Sequence, residues 1–217
     1  MMRERFHQEM ENLKNELERM GNLAIAMLCD AVEAFKTHDT KLADAVISRK
    51  TQLREFNRKI DEGALTTIAR FQPMAKDLRT LGFIIKTTTY LYRVGRYGKD
   101  IAAVTKELSK EQHISKLVSI PYMAEKAASM LKDALKAFRT EDLSLIRDFK
   151  ERDDELDSLR YSIFRECVSY MLEDPRKISL CAHYIMVARY LERCGDHACK
   201  IAEKVHYMIT GEFKVIK

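Results

Sequence analysis

The feature that most constrains this chain is that it states one helical pattern twice. Leu28-Cys29-Asp30-Ala31-Val32-Glu33-Ala34-Phe35-Lys36-Thr37 returns at an offset of 103 as Leu131-Lys132-Asp133-Ala134-Leu135-Lys136-Ala137-Phe138-Arg139-Thr140. Further along, Leu91, Arg93, Gly95, Ile101 and Ala102 return as Leu191, Arg193, Gly195, Ile201 and Ala202, at an offset of 100. Internal self-similarity of this kind marks a repeated supersecondary unit. The drift of three places a loop-length change between the second and third segments of each unit.

Periodicity says what the unit is. Leu17, Met20, Ala24, Met27, Leu28, Ala31 and Phe35 keep a three-four spacing, with Lys14, Glu18, Asp30 and Glu33 on the other side, which is the stripe of an amphipathic helix. The pattern predicts helices over 4–37, 41–70 and from Pro73, at the first helical position, to about 108. In the second unit Pro121 opens or kinks a helix reaching Phe138, and another runs over 142–172. Asp174-Pro175 then starts a last helix that Gly211 closes. Only seven Gly and three Pro interrupt 217 residues, 33% of them charged, and neither hairpin turns nor period-two alternation occur. The expectation is an all-α fold of six long helices. They form a tandem of two antiparallel three-helix bundles, residues 1–110 and 111–217, the polar stretch 109–119 joining them.

Several function classes fall away. The net charge of +5, from 38 basic against 33 acidic residues, is no nucleic-acid footprint, and no recognition helix stands out. No apolar run approaches the roughly 18 residues of a membrane span, and the N-terminus has no signal-peptide core, so a cytoplasmic protein is expected. Five cysteines with no Cys-x-x-Cys pair read as reduced, mostly buried thiols. The methionines, Met186 among them, read as core filler, and His183 as a core or interface histidine. No nucleophile elbow, phosphate loop or His-Glu-x-x-His helix is present, so the chain reads as a non-enzyme. A carboxylate-bridged metalloenzyme is the weakest alternative, because Glu203-x-x-His206 occurs once without a mate.

What chemistry there is lies in acids. Glu192 and Asp196 stand one turn apart on the last helix, and Asp153 and Asp157 repeat that spacing on the helix before it. Carboxylates so placed repel unless a cation or a proton lies between them, and two facing helices could build an oxygen-ligand metal site. The plainer reading is solvated helix faces, with Lys150, Arg152, Arg160, Arg189, Arg193 and Lys200 as partners. His197, rotated about 100° from Asp196, reads as a neighbouring or surface residue rather than a ligand.

Two motifs resemble the PhoU family of phosphate-uptake regulators. Gln72-Pro73-Met74-Ala75-Lys76-Asp77-Leu78-Arg79 is similar to its Gln-Pro-x-Ala-x-Asp-Leu-Arg signature. Leu191-Glu192-Arg193-Cys194-Gly195-Asp196-His197, followed by Ile201-Ala202-Glu203, resembles its Leu-Glu-Arg-Ile-Gly-Asp helix. The resemblance implies paired three-helix bundles that hold metal through Glu/Asp-x-x-x-Asp motifs. Carried onto this chain, the ligands would be Asp153, Asp157, Glu192 and Asp196, and the metal iron, zinc, magnesium, manganese or calcium. It further implies a homodimeric negative regulator that meets the ATPase subunit of a phosphate ABC transporter and a membrane sensor kinase. Such a protein is cytoplasmic and reaches the membrane only through partners. A metal-free helical scaffold or adaptor is the alternative.

The first unit departs from that pattern. Lys50, Arg54, Tyr92 and Arg96 stand where the second unit has Asp153, Asp157, Glu192 and Asp196. Ammonium and guanidinium groups cannot ligate a hard cation. Lys50, Arg54 and Arg96 are expected either to be neutralised by Asp100, Asp61 or Glu62, or to bind an anion, be it phosphate or an acidic partner surface. Lys200, one turn after Asp196, is placed to neutralise part of the acidic set.

Overall fold

The computed structural model describes residues 2–114 and 119–216. The apolar stripes become helices α1 (Met2–Thr37), α2 (Thr40–Ser48), α3 (Lys50–Phe71), α4 (Ala75–Glu107), α5 (Ser119–Thr140), α6 (Phe149–Glu173) and α7 (Ile178–Thr210). Short 3-10 turns at Leu143–Ile146 and Pro175–Lys177 precede α6 and α7. No strand occurs among the described residues.

The expected helix over 41–70 is broken. At Arg49 (φ −64°, ψ −12°) the backbone N–H reaches Val46 O at 3.2 Å, which tightens the turn into an i→i+3 step and separates α2 from α3. The second unit breaks earlier, at 147–148, after the expected helix over 142–172 has begun as the 3-10 turn, and Arg152, the repeat partner of Arg49, lies inside α6. Pro73 also lies outside its expected position. Gln72 ends α3 in the left-handed region (φ 48°, ψ 53°), Met74 is extended, and α4 starts only at Ala75. Gly211 does close α7, its N–H on Tyr207 O at 2.9 Å.

Two turns show the repeat in backbone detail. His38 and Glu141, each just past a helix end, both adopt positive φ (54° and 57°). Each is followed by an aspartate cap. Asp39 accepts from Lys41 N and Leu42 N, and Asp142 from Ser144 N. Gln72, exposed and equally left-handed, makes the cheapest test of this chemistry. Gln72→Gly removes a Cβ from a region that disfavours it and should raise stability by about 0.5–1 kcal/mol, read as a thermal midpoint roughly 1–4 °C higher.

Burial follows the stripes. Leu17, Met20, Ala24, Met27, Leu28, Ala31 and Phe35 are all buried, as are Cys167, Cys181, Cys194 and Cys199, while Cys29 is exposed. Met186, expected in the core, is 45% exposed instead. The two units share one interior. α1 packs along α4 and α5, α7 packs along α4, α5 and α6, and Phe83 stacks on Phe138 with centroids 4.4 Å apart. Residues 115–118 of the joining stretch lie outside the described residues. Just before them, His113 stacks on His38 at 3.9 Å and donates from Nε2 to Lys36 O at 3.0 Å, leaving Nδ1 to accept from the Tyr184 hydroxyl. Among the described residues no helix is long and apolar enough to cross a membrane.

Candidate functional site

Two glycines set how closely the outer helices approach. On α7, a Cβ on Gly195 would collide with Leu156 Cδ1 and lie 3.4 Å from Asp153 Oδ1. On α4, a Cβ on Gly95 would collide with Leu53 Cδ2. Leu53 and Leu156 are a repeat pair, as are Gly95 and Gly195, so the two crossings are the same joint. A matched ion pair confirms the register: Arg49 bonds Asp30, and Arg152 Nη1 donates to Asp133 at 2.8 Å.

At the second crossing Asp153 lies against Gly195 of α7, and Asp196 and Asp157 stand near enough to Glu192 to act on its carboxyl. Asp153 is 1% exposed and Glu192 4%, while Asp157 and Asp196 are half-buried. Burial pushes the Glu192 carboxyl above the usual carboxylate range, and Asp196 and Asp157 push it further, against Arg189 and Arg193. Arg189 Nη1 donates to Glu192 Oε1 at 2.7 Å. Glu192 Oε2 is buried without a hydrogen-bond donor, with Arg193 Nε at 4.0 Å. Arg193 also approaches Asp196 Oδ2 at 3.5 Å.

Donor chemistry and charge thus fit a hard cation: Glu192 is buried, and the carboxylates of Asp196 and Asp157 raise its proton affinity. Their present spacing does not form a finished cage. Among the described residues no group of three or more His, Cys, Asp or Glu side chains stands where it could hold a metal ion. Ligation at this crossing therefore requires the side chains to close. Lys200 does not serve as the expected counter-charge to Asp196. Its Nζ donates to both oxygens of Glu203 at 3.1 and 3.0 Å. Glu203 Oε1 also accepts from Ile216 N at 3.2 Å, and His206 Nδ1 bonds Glu212 O at 3.1 Å. The Glu203-x-x-His206 pair thus anchors the tail that follows α7.

His197 is the residue that sequence reasoning misplaced. It is buried where α4 meets α7, stacked near Tyr90 and Tyr97 with centroids 5.6 and 5.9 Å away, and Tyr97 stacks in turn on Tyr190. The seven-residue spacing of Tyr90 and Tyr97 on α4 and of Tyr190 and His197 on α7, two helical turns each, was the available signal. Burial, with help from Arg93, lowers the His197 imidazole to about 4. The folded state then refuses a proton that the unfolded chain takes up below pH ~6.5, so stability falls as pH drops through the window from ~6.5 to about 4. The expected loss is roughly 2 kcal/mol at pH 5 relative to pH 7. Urea unfolding at both pH values checks this, and His197→Gln should lack that share of the loss. Glu192 acts in the opposite sense. Its raised carboxyl favours the folded state at low pH, an advantage lost as pH rises through its folded value.

At the first crossing, Lys50 is half-buried, Arg54 and Arg96 are exposed, and Tyr92 is half-buried. None of the acids expected to neutralise them does so. Asp100 pairs with Lys99 at 2.9 Å, Glu62 with Arg58 at 3.2 Å, and Asp61 accepts from Asn57 Nδ2 at 3.3 Å. Elsewhere a cavity of about 800 Å³, lined by Met2, Arg5, Gln8, Glu9, Arg70 and Phe71, opens at the free end of α1, and no sequence motif had marked it.

The fold has counterparts. The crystal structure of PhoU from Pseudomonas aeruginosa superposes with a TM-score of 0.91 at 35% identity, covering 95% of this chain and all of that one. The phosphate transport system regulatory protein PhoU from Streptococcus pneumoniae, at 24% identity and a TM-score of 0.88, shares the fold. The chain is 39% identical to the phosphate-specific transport system accessory protein PhoU homolog of Rhizobium meliloti (strain 1021), over 95% of this chain and 87% of that one. It is 34% identical to the homolog of that name in Clostridium acetobutylicum, covering 98% and 97%. The sequence profile of the PhoU domain matches twice, at residues 17–105 and 120–205, once per repeat, and the chain belongs to the PhoU family.

Proposed function

We propose that this chain is a non-enzymatic, cytoplasmic regulator of phosphate-specific transport that docks on the ATPase subunit of a phosphate transporter or on a membrane sensor kinase. The observation that carries this reading is likeness along nearly the whole chain to proteins named as accessory proteins of that system. In this reading the α6/α7 crossing takes a hard cation through Asp153, Asp157, Glu192 and Asp196. The cation fixes how the two helices cross and biases a docking-competent surface. What supports the cation is the buried Glu192, whose Oε2 has no hydrogen-bond donor and whose proton affinity Asp196 and Asp157 raise.

A metal-free scaffold is the second reading. It is favoured by Arg189 and Arg193, which already hold Glu192 and Asp196, and by the unfinished cage. The homodimer belongs to the proposal too. The outward side of α6 leaves Tyr161, Phe164 and Leu172 exposed, which supports a contact with a second copy. Co-purification from cells, with the transporter's ATPase subunit and the sensor kinase each tagged in turn, tests the docking. Capture by one of them is expected, and capture by neither sinks it. Light scattering of the purified chain reads the dimer directly, and a monomer at micromolar concentration would refute it.

A further inference from the structure

Three cations without a protein counter-charge mark the first crossing. Among the described residues no acid lies within ion-pair distance of Lys50, Arg54 or Arg96, although Arg49, Arg58, Lys59 and Lys99 close by are all paired. The glycine joint fixes where they stand. Because Gly95 meets Leu53 as Gly195 meets Leu156, Lys50 and Arg54 on α3 and Tyr92 and Arg96 on α4 occupy the positions that hold Asp153, Asp157, Glu192 and Asp196 in the second unit. The same backbone cradle therefore carries the opposite charge. Like charges one turn apart repel, and among the described residues no ion pair relieves them.

We propose that the α3/α4 crossing binds a compact oxyanion of more than one negative charge, of the phosphate class. Arg54 and Arg96 offer guanidinium forks that suit paired oxygens, Lys50 adds a half-buried point charge, and Tyr92 supplies a hydroxyl that can donate where the second unit has a carboxylate. A monovalent ion such as chloride would gain from the cations one charge at a time and lack the oxygens that guanidinium forks bridge. Since two of the three cations are exposed, the attraction is screened by salt, and a dissociation constant on the order of 1 mM is expected at low ionic strength. The proposal does not rest on the regulatory reading, because it concerns the purified chain alone.

The test is titration of the full chain with inorganic phosphate, followed by calorimetry at low ionic strength, with sodium chloride at matched ionic strength as the reference. Wild type should bind phosphate, and Arg96→Asp should weaken binding at least tenfold. Arg54→Gln, which removes an exposed charge without reversing it, should give a smaller loss. Circular dichroism confirms that both variants fold. Lys136→Gln, which removes an exposed cation on α5 outside both crossings, should bind as wild type does. Equal phosphate binding in wild type, Arg96→Asp and Arg54→Gln would overturn the site. So would an absence of phosphate binding together with salt-sensitive binding of poly-glutamate, which would make the crossing a surface for acidic protein.

Discussion

Gly98→Ala is expected to destabilise the chain by about 3 kcal/mol, at the upper end of what overpacking costs, and to lower the thermal midpoint by roughly 6–12 °C. The reason lies in what the new methyl group would meet. A Cβ at Gly98 falls 2.7 Å from Met27 O and 2.8 Å from Met27 C, both backbone atoms of α1. Side-chain ends swing aside, but a helix backbone does not, so α4 must move off α1 along the main seam of the first unit. The neighbouring joints set the scale. At Gly95 and Gly195 the colliding atoms are the ends of Leu53 and Leu156, which can rotate. Alanine there should cost less, and Gly82, with nothing within 4 Å, should tolerate it freely. A melt of Gly98→Ala that matches Gly82→Ala would show that the α1–α4 approach is looser than described.

The second large effect concerns the acidic crossing. If a hard cation closes Asp153, Asp157, Glu192 and Asp196, it binds the folded chain and not the unfolded one. At a hundredfold excess over its dissociation constant it should then add about 2.7 kcal/mol, a midpoint shift of roughly 5–11 °C. Manganese or magnesium added to chelator-treated protein should give that shift. The double variant Glu192→Gln/Asp196→Asn should give none. Without metal, Glu192→Gln should itself be more stable than wild type at pH 7. Its carboxyl is held above the ordinary range, so ionisation opposes folding once pH exceeds that folded value.

How far these features could be read from the residues depended on their physics. The three-four stripes and the Gly211 terminus were legible because each is a local rule written in residue type. The break at Arg49 was not, because neither Gly nor Pro marks it; the i→i+3 bond is a choice of backbone that several sequences allow. In the site, the offsets of 103 and 100 put the right residues opposite one another, as the Leu53–Gly95 and Leu156–Gly195 contacts show. Which charges then pair was beyond reach. Lys200 turns to Glu203 rather than Asp196, and Asp100 to Lys99 rather than Arg96, because both partners lie on the same helix and rotamer geometry decides between them. His197 was misplaced for a related reason: a 100° rotation from an acid says where a side chain leaves its own helix, not what α4 brings to meet it.

Metal content of the purified chain bears on all of this most directly. After exposure to manganese, iron and zinc and removal of loosely bound ions, elemental analysis should find metal retained by wild type and by Arg96→Asp, and lost from Glu192→Gln/Asp196→Asn. Equal metal in wild type and the double variant, or none in either, would contradict a cation seat between α6 and α7.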